Sequence, residues 1–351
     1  MNVLVTGGAG FIGGTLVRRL LGRGCRVVNV DALTYAAAPE ALAACGEAGG
    51  YGFVRADIAD ADAMAGIFAR HRPDAVVHLA AESHVDRSIA GPAACIRTNV
   101  TGTSVLLEAA RAHWAGLSGE RQERFRFLHV STDEVFGMLE PDEPPFIEAS
   151  PYAPRSPYAA SKAAADHLVR AWGETYGLPV LISNGCNTYG PWQHPEKLIP
   201  RMLALALAGE ALPVFGDGRQ VRTWLHVDDH ADALALILER GEPGRSYLVG
   251  TRDECRNLDL VRRLCTLLDA RRPEAAPHAR LIAHVADRPG HDRRYAVDPT
   301  RIERELGWRP CRSFDQGLAA TVDWTLAHRD RCLARAGAAP SFPSPNRRAV
   351  A

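Results

Sequence analysis

Short, continuously apolar runs alternate with amphipathic stretches through the first half of the chain. Runs at Asn2–Thr6, Arg26–Asp31, Gly52–Arg55, Ala75–Leu79, Arg126–Ser131 and Pro179–Ser183 predict strands. The stretches Phe11–Leu21, Ala61–Arg70, Pro92–His113 and Pro157–Tyr176 carry a 3.6-type spacing and predict helices. Strands that are apolar throughout need cover on both faces, so the alternation predicts an α/β fold with a doubly wound parallel sheet.

After about residue 190 the pattern loosens. Prolines at 191, 195, 200, 213, 243, 273, 277 and 289 cut the remainder into short helices and strands. We therefore expect residues 1–190 to form a main domain and residues 191–330 a smaller α+β lobe packed on it, part of which returns to the sheet. Residues 336–351 contain Pro-Ser-Phe-Pro-Ser-Pro and no acid, which predicts a disordered tail.

Composition narrows the classes. The 351 residues are 46% hydrophobic and 23% charged, as in ordinary globular enzymes. Lys plus Arg and Asp plus Glu both total 41, so charge offers no case for a nucleic-acid or anionic-membrane partner. No basic segment followed by an apolar run opens the chain, and no apolar stretch approaches the ~20 residues needed to span a bilayer. The eight cysteines form no C-x-x-C pair, which points to reduced thiols, no metal site and a cytoplasmic protein.

Chemistry begins where the first strand ends. The run Gly7-Gly8-Ala9-Gly10-Phe11-Ile12-Gly13 reads as G-x-G-x-x-G or G-x-x-G-x-x-G and opens an amphipathic helix. Glycines there allow a tight turn and let backbone N–H groups approach a pyrophosphate at a helix N-terminus, the device of a Rossmann domain. Asp31, closing strand two, stands where a carboxylate binds the adenosine ribose and repels a 2′-phosphate, favouring NAD over NADP. Asp57, after strand three, would either contact adenine or cap the next helix.

Two further clusters carry reactive groups. Tyr158 and Lys162 lie four residues apart at the start of a predicted helix and share a face. A neighbouring ammonium and a nicotinamide's positive charge would lower the phenol into the range of a base. In His129-Val-Ser131-Thr132-Asp133-Glu134, adjacent carboxylates end a buried strand, where open α/β sheets bind ligands, and two such acids can split acid and base roles. Lys197, Arg219, Arg222, Arg288 and His291 are candidate contacts for a diphosphate.

These segments together resemble the extended short-chain dehydrogenases, and among them the dTDP-glucose 4,6-dehydratases. The matching segments are T-G-G-A-G-F-I-G at 6–13, D-A-L-T-Y-A at 31–36, H-L-A-A-E-S-H-V-D-R-S-I at 78–89 and T-N-V-T-G-T at 98–103. They continue with S-T-D-E-V-F-G at 131–137, S-P-Y-A-A-S-K at 156–162, Y-G-P-W-Q-H-P-E-K-L-I-P at 189–200 and R-P-G-H-D-R-R-Y at 288–295. The S-T-D-E run with H-V-D-R-S-I is specific within the superfamily, whereas the glycine loop and Y-x-x-x-K are shared by all of it.

The resemblance implies a dTDP-hexose substrate and NAD as cofactor. Tyr158, supported by Lys162 and Thr132, would take the proton of the sugar 4-hydroxyl; Glu134 would remove the hydrogen on carbon 5, and Asp133 would protonate the departing 6-hydroxyl. The cofactor would lie on Gly7, Gly10, Phe11, Ile12, Gly13, Asp31, Asp57, Ile58, Leu79, Ala80, Ala81 and Asn99, beside Tyr158 and Lys162. The nucleotide sugar would lie on Glu82, Ser83, Asn187, Lys197, Leu198, Arg222, Asn257, Arg288 and His291. It implies a homodimer paired through Pro92–His113 and Pro157–Tyr176. The chain departs from the family's usual T-R-C-S-N-N-Y-G: Asn184 stands at the arginine and Cys186 at the serine, a change read here as packing, and Leu248-Val249-Gly250-Thr251 replaces a common N-I-G-G. Epimerases and decarboxylases of the superfamily share the Tyr, Lys and NAD; an Asp-Glu pair is what dehydration adds. A silent NAD-binding relative would have no chemical reason to keep all five reactive residues.

Overall fold

A computed structural model describes residues 1–46, 49–287 and 290–337. Strand β1 (Asn2–Thr6) shows why a central sheet forms. It is buried throughout, with Val3 and Val5 in one apolar core and Leu4 in the core on the opposite face. After it come α1 (Phe11–Gly22), β2 (Arg26–Asp31), β3 (Tyr51–Arg55), α2 (Ala61–His71) and β4 (Ala75–His78). The chain continues through α3 (Val85–Ala90), α4 (Pro92–Ile96), α5 (Thr103–Ala115), α6 (Glu120–Arg124), β5 (Arg126–Thr132), α7 (Pro157–Tyr176) and β6 (Val180–Gly185).

The later elements are β7 (Asn187–Tyr189), α8 (Leu198–Ala208), β8 (Leu212–Phe215), β9 (Val221–His226), α9 (Val227–Arg240), β10 (Ser246–Val249) and β11 (Glu254–Arg256). They end with α10 (Asn257–Arg271), β12 (Ile282–Val285), α11 (Thr300–Leu306), α12 (Phe314–Ala327) and α13 (Arg329–Gly337).

Seven parallel strands form one sheet in the order β10-β6-β5-β4-β1-β2-β3. From β1 the chain winds outward through β2 and β3, then restarts at β4 and winds the other way. The reversal opens a crevice beyond the C-terminal ends of β1 and β4, where such sheets hold ligands. Beyond residue 190 the chain does not stay in the second lobe: β10 pairs with β6, and α9 buries Ala231, Leu234 and Leu238 in the same core as Leu16 and Leu20 of α1. The lobe itself is a β11-β9-β7 sheet, a β12-β8 pair and flanking helices around Tyr189, Leu203, Trp224 and Phe314.

The single helix expected over Pro92–His113 is interrupted by a π-helical segment, Arg97–Gly102, between α4 and α5. The wider turn carries Asn99 inward, where its side chain receives the Glu82 N–H at 2.9 Å and donates to the Glu82 carbonyl at 3.0 Å. Gly102 packs closely there: a Cβ would lie 2.8 Å from the Ile58 side chain, which would have to shift. Such segments recur at functional sites. The eight cysteines are all unpaired. Among the described residues no helix is long and apolar enough to cross a membrane, and no group of His, Cys, Asp or Glu is arranged to hold a metal ion. The part of the expected tail beyond residue 337 lies outside the described residues.

Candidate active site

At the cofactor end, sterics decide. Gly7 turns with φ 72°, and a Cβ on it would lie 2.6 Å from the Ala80 nitrogen. A Cβ on Gly13 would lie 2.2 Å from the Gly7 carbonyl oxygen. Gly10 donates to that carbonyl at 3.1 Å and becomes the N-cap of α1, with no side-chain cap and no acid in the first turn. The helix therefore presents its positive end and the backbone around Phe11 and Ile12 to the crevice, a donor set that fits a pyrophosphate. Asp31 accepts the N–H groups of Ala9 at 2.9 Å and Leu33 at 2.8 Å, which holds its carboxylate at the mouth of the loop. Burial raises its pKa, and the two N–H bonds work against that.

Leu79 and Ala80 extend β4 along the loop through bonds to the Thr6 carbonyl at 3.0 Å and its hydroxyl at 3.3 Å, and Ala81 follows, half-buried. Ile58 is buried against Gly102. Asp57 does not cap the next helix; Asp60 does, accepting the Ala63 N–H at 3.0 Å. Asp57 instead accepts the Ala59 N–H at 2.9 Å and pairs with Arg97 at 2.8 Å.

At the catalytic end, burial and charge decide. β5 ends in Thr132, whose hydroxyl caps the short turn Asp133–Phe136 by accepting the Glu134 N–H at 3.2 Å and donates to Asp133 Oδ1 at 3.3 Å. Asp133 is 2% exposed; burial first, then the charge of Glu134, push its carboxyl up to about 7. Ser156 caps α7 by accepting the Ala159 N–H at 3.0 Å, with Pro157 at the first position, and this fixes where Tyr158 points. The Tyr158 N–H is held by Ser88 of α3 at 3.1 Å, and its phenol hydrogen-bonds Thr132.

The expected lowering of the phenol by Lys162 is not what the protein's own charges produce. Burial, then Glu134 and Asp133, raise Tyr158 well above its ordinary value. Lys162 is turned toward β5, donating to the Val130 carbonyl at 2.9 Å and lying 3.2 Å from His129 Nε2. Burial lowers its ammonium to about 8.

The second lobe supplies the third side. Arg222, buried, donates to the carbonyls of Val221 at 2.7 Å and Asp292 at 2.9 Å, lies 4.2 Å from the centre of the Tyr295 ring, and its charge reaches Asp133. Lys197 donates to the Ser83 carbonyl at 2.7 Å at the head of α8, where Leu198 begins the helix, so Ser83 and Glu82 meet the lobe. Asn257 opens α10 with its Oδ1 buried and without a hydrogen bond within the protein. Asn187 begins β7, half-buried. His291 is held by Asp287 at 2.6 Å near Phe215. Arg219 is not drawn in: its side chain is 80% exposed and pairs with Asp217. Arg288 lies outside the described residues. Cys186 lies buried in the main core close to Gly250, and burial pushes its thiol up to about 12.

Some residues at the site carried no sequence assignment. Tyr35 donates to Glu196 at 3.1 Å, stacks under Arg87 at 3.5 Å and meets His194 edge-on, which stitches the loop after β2 to the lobe. Beneath Lys162 lies a buried network of His129, Asp166, Asn184 and Tyr152. The only sequence signal for Asp166 is its spacing, one helical turn past Lys162.

A doubly wound sheet with a glycine loop at its switch point and a Tyr–Lys pair on α7 defines a nicotinamide-dependent enzyme of the extended short-chain dehydrogenase class. The family pattern described as GDP-mannose 4,6 dehydratase matches residues 4–321. The dTDP-glucose 4,6-dehydratase of Shigella flexneri is 54% identical over 337 residues, covering 93% of each chain. That of Xanthomonas campestris pv. campestris strain B100 is 55% identical over 328 residues, again covering 93% of each. The crystal structure of the Streptomyces venezuelae dTDP-glucose 4,6-dehydratase, solved with NAD bound, superposes with a TM-score of 0.86 at 46% identity, covering 94% of this chain and 98% of that one. The chain belongs to the dTDP-glucose 4,6-dehydratase family.

Proposed function

We propose that the protein dehydrates dTDP-glucose to dTDP-4-keto-6-deoxyglucose, working as a cytoplasmic homodimer. The observation that carries this reading is Asp133, buried beside Glu134 and bonded through Thr132 to Tyr158. Two neighbouring carboxyls of unequal burial can hold and release protons at the same pH, and elimination of water needs one of each. An epimerase has no use for the pair.

Tyr158 takes the proton of the sugar 4-hydroxyl while Thr132 bonds the same oxygen, and Lys162 stands behind Tyr158. Because the protein's own charges hold the phenol protonated, positive charge brought in beside it is needed before it acts as a base. When bound, NAD supplies that charge, the acceptor for the hydrogen on carbon 4 and the donor to carbon 6, so net redox change is zero. Glu134 removes the hydrogen on carbon 5 as a proton and returns a proton to carbon 5 once carbon 6 has been reduced. Asp133, whose carboxyl burial raises to about 7, is partly protonated at neutral pH and gives that proton to the departing 6-hydroxyl. Arg222, Lys197, Asn257, Asn187 and His291, with Leu198, surround the nucleotide diphosphate and ribose, and Glu82 and Ser83 meet the sugar. The backbone from Gly7 to Gly13, with Asp31, Asp57, Ile58, Leu79, Ala80, Ala81 and Asn99, holds the cofactor. Pairing of α4–α5 and α7 between two copies would cover Ile96 and Tyr176, which are 52% and 46% exposed.

Glu134→Gln tests the role of the acid pair. The variant is expected to lose water from the substrate at least ~100-fold more slowly while still producing reduced nicotinamide transiently on mixing. Water loss at the natural rate would overturn the assignment.

A further inference from the structure

We propose that Asp166 is a positioning residue for Lys162: acting through His129, its carboxylate is the counter-charge that keeps the lysine protonated, and Asn184 brings that carboxylate no positive charge. The two residues lie one turn apart on α7, and Lys162 is 3% and Asp166 0% exposed. An isolated carboxylate in such a place costs several kcal/mol unless a cation balances it. Yet every group bonded to Asp166 is neutral. Tyr152 donates its hydroxyl at 2.7 Å and Asn184 its amide at 3.1 Å, both to Oδ2. His129 Nε2 lies 3.3 Å from Oδ1, and burial, then the charge of Lys162, lower this imidazole to about 4, which keeps it uncharged at neutral pH.

The same His129 nitrogen lies 3.2 Å from Lys162 Nζ. One ring nitrogen can accept from the ammonium or donate to the carboxylate, but not both, so the two charges are coupled across a single contested atom. His129 Nδ1 has no partner of its own to fix the tautomer. The other groups acting on Lys162 do not replace Asp166. His78 on β4 is held neutral by burial, burial keeps the Cys95 thiol on α4 protonated, and Tyr158 sits on the lysine's own helix. Asp133 and Glu134 act beyond it on the phenol, and Arg170 adds positive charge on His129 from α7.

The Asn184 amide bridges Asp166 and the Thr132 carbonyl, at 3.1 and 3.2 Å, and carries no charge. A guanidinium at that position would instead hold the carboxylate as its own partner. Asparagine brings the carboxylate a hydrogen bond but no positive charge.

The proposal rests on Lys162 supporting Tyr158, but its test does not need turnover. Lys162 and Lys197 are the only lysines among the 41 Lys and Arg residues, so a carbon-13 label at lysine Cε gives two signals, assigned with Lys197→Arg. In the full-length chain without sugar, the Lys162 signal is expected to titrate near 8, the value burial and Asp166 together set. Asp166→Asn is expected to lower that midpoint by at least ~1 pH unit and Asp166→Glu to restore it. Asn184→Arg, which leaves the carboxylate in place, is expected to lower it as well and serves where Asp166→Asn does not fold. Midpoints that stay with the natural chain's in Asn184→Arg and Asp166→Asn would overturn the proposal. A parallel assay with dTDP-glucose should show the alkaline limb of the rate moving to lower pH in Asp166→Asn. An unmoved limb would count against the proposal, and no water loss by the natural chain would count against the dehydratase reading alone.

Discussion

Around Gly7 and Gly13 the site is made of backbone, whereas around Asp133, Tyr158 and Lys162 it is made of buried charge. The first region works by absence: a Cβ on Gly13 would overlap the Gly7 carbonyl, and α1 is left uncapped so that its N–H groups remain for a ligand. The second works by crowding. Two carboxyls, a phenol, an ammonium and an imidazole lie close together, all but Glu134 buried, so their charges act on one another's protonation. A backbone site tolerates almost no change of shape and much change of pH. A charge site should show the reverse.

That contrast can be broken or sharpened by substitution. The largest effect is expected for Tyr158→Phe, which keeps the shape and removes the proton acceptor: turnover of dTDP-glucose should fall ~1,000-fold with NAD still bound. A loss under tenfold would remove Tyr158 from the chemistry. Gly13→Ala should act through binding instead. Overpacking costs about 2 kcal/mol, so NAD affinity, read by calorimetry, should weaken ~30-fold at every pH. An unchanged affinity would mean the loop opens without cost.

Asp133→Asn should change how stability depends on pH. The folded carboxyl is raised from near 4 in the unfolded chain to about 7, so the folded state binds its proton more tightly. The resulting stabilisation is complete below pH 4 and lost as pH rises toward and through 7. Relative to the natural protein, the asparagine variant should gain several degrees of Tm at pH 8 and little at pH 4, by scanning calorimetry. Equal shifts at both would show that Asp133 is not held protonated by the fold. The smallest effect is expected for Arg219→Ala: with the side chain 80% exposed, turnover should stay within about twofold. A larger fall would bring that arginine into the site after all.

The same contrast governs what could be read from the sequence. The inner strands β1, β2, β4, β5 and β6 were legible because they are apolar runs buried on both faces, and the glycine loop because sterics demand glycine there. The Asp133-Glu134 pair was legible because two acids ending an apolar run need a reason. The return of the chain to the sheet was not placed, since β10 is only four residues, Ser246–Val249, lying between Gly244 and Gly250. The π-helical turn at Asn99 brings Gly102 against Ile58, a contact between segments far apart in the sequence. Spacing placed Lys162 on the face of Tyr158, yet the direction of its ammonium is set by His129 and Val130 on a neighbouring strand. For the same reason the phenol shifts opposite to the expected direction: proximity along a helix is local, and burial is not.

The central claim, that the acid pair turns a nicotinamide site into one that expels water, is tested most directly by mass spectrometry of dTDP-glucose incubated with the purified protein and NAD. The account predicts a product lighter by one water, carrying the substrate's carbon 4 hydrogen at carbon 6 and, in heavy water, one solvent deuterium at carbon 5. An isomer of unchanged mass, with no deuterium at carbon 5, would contradict it.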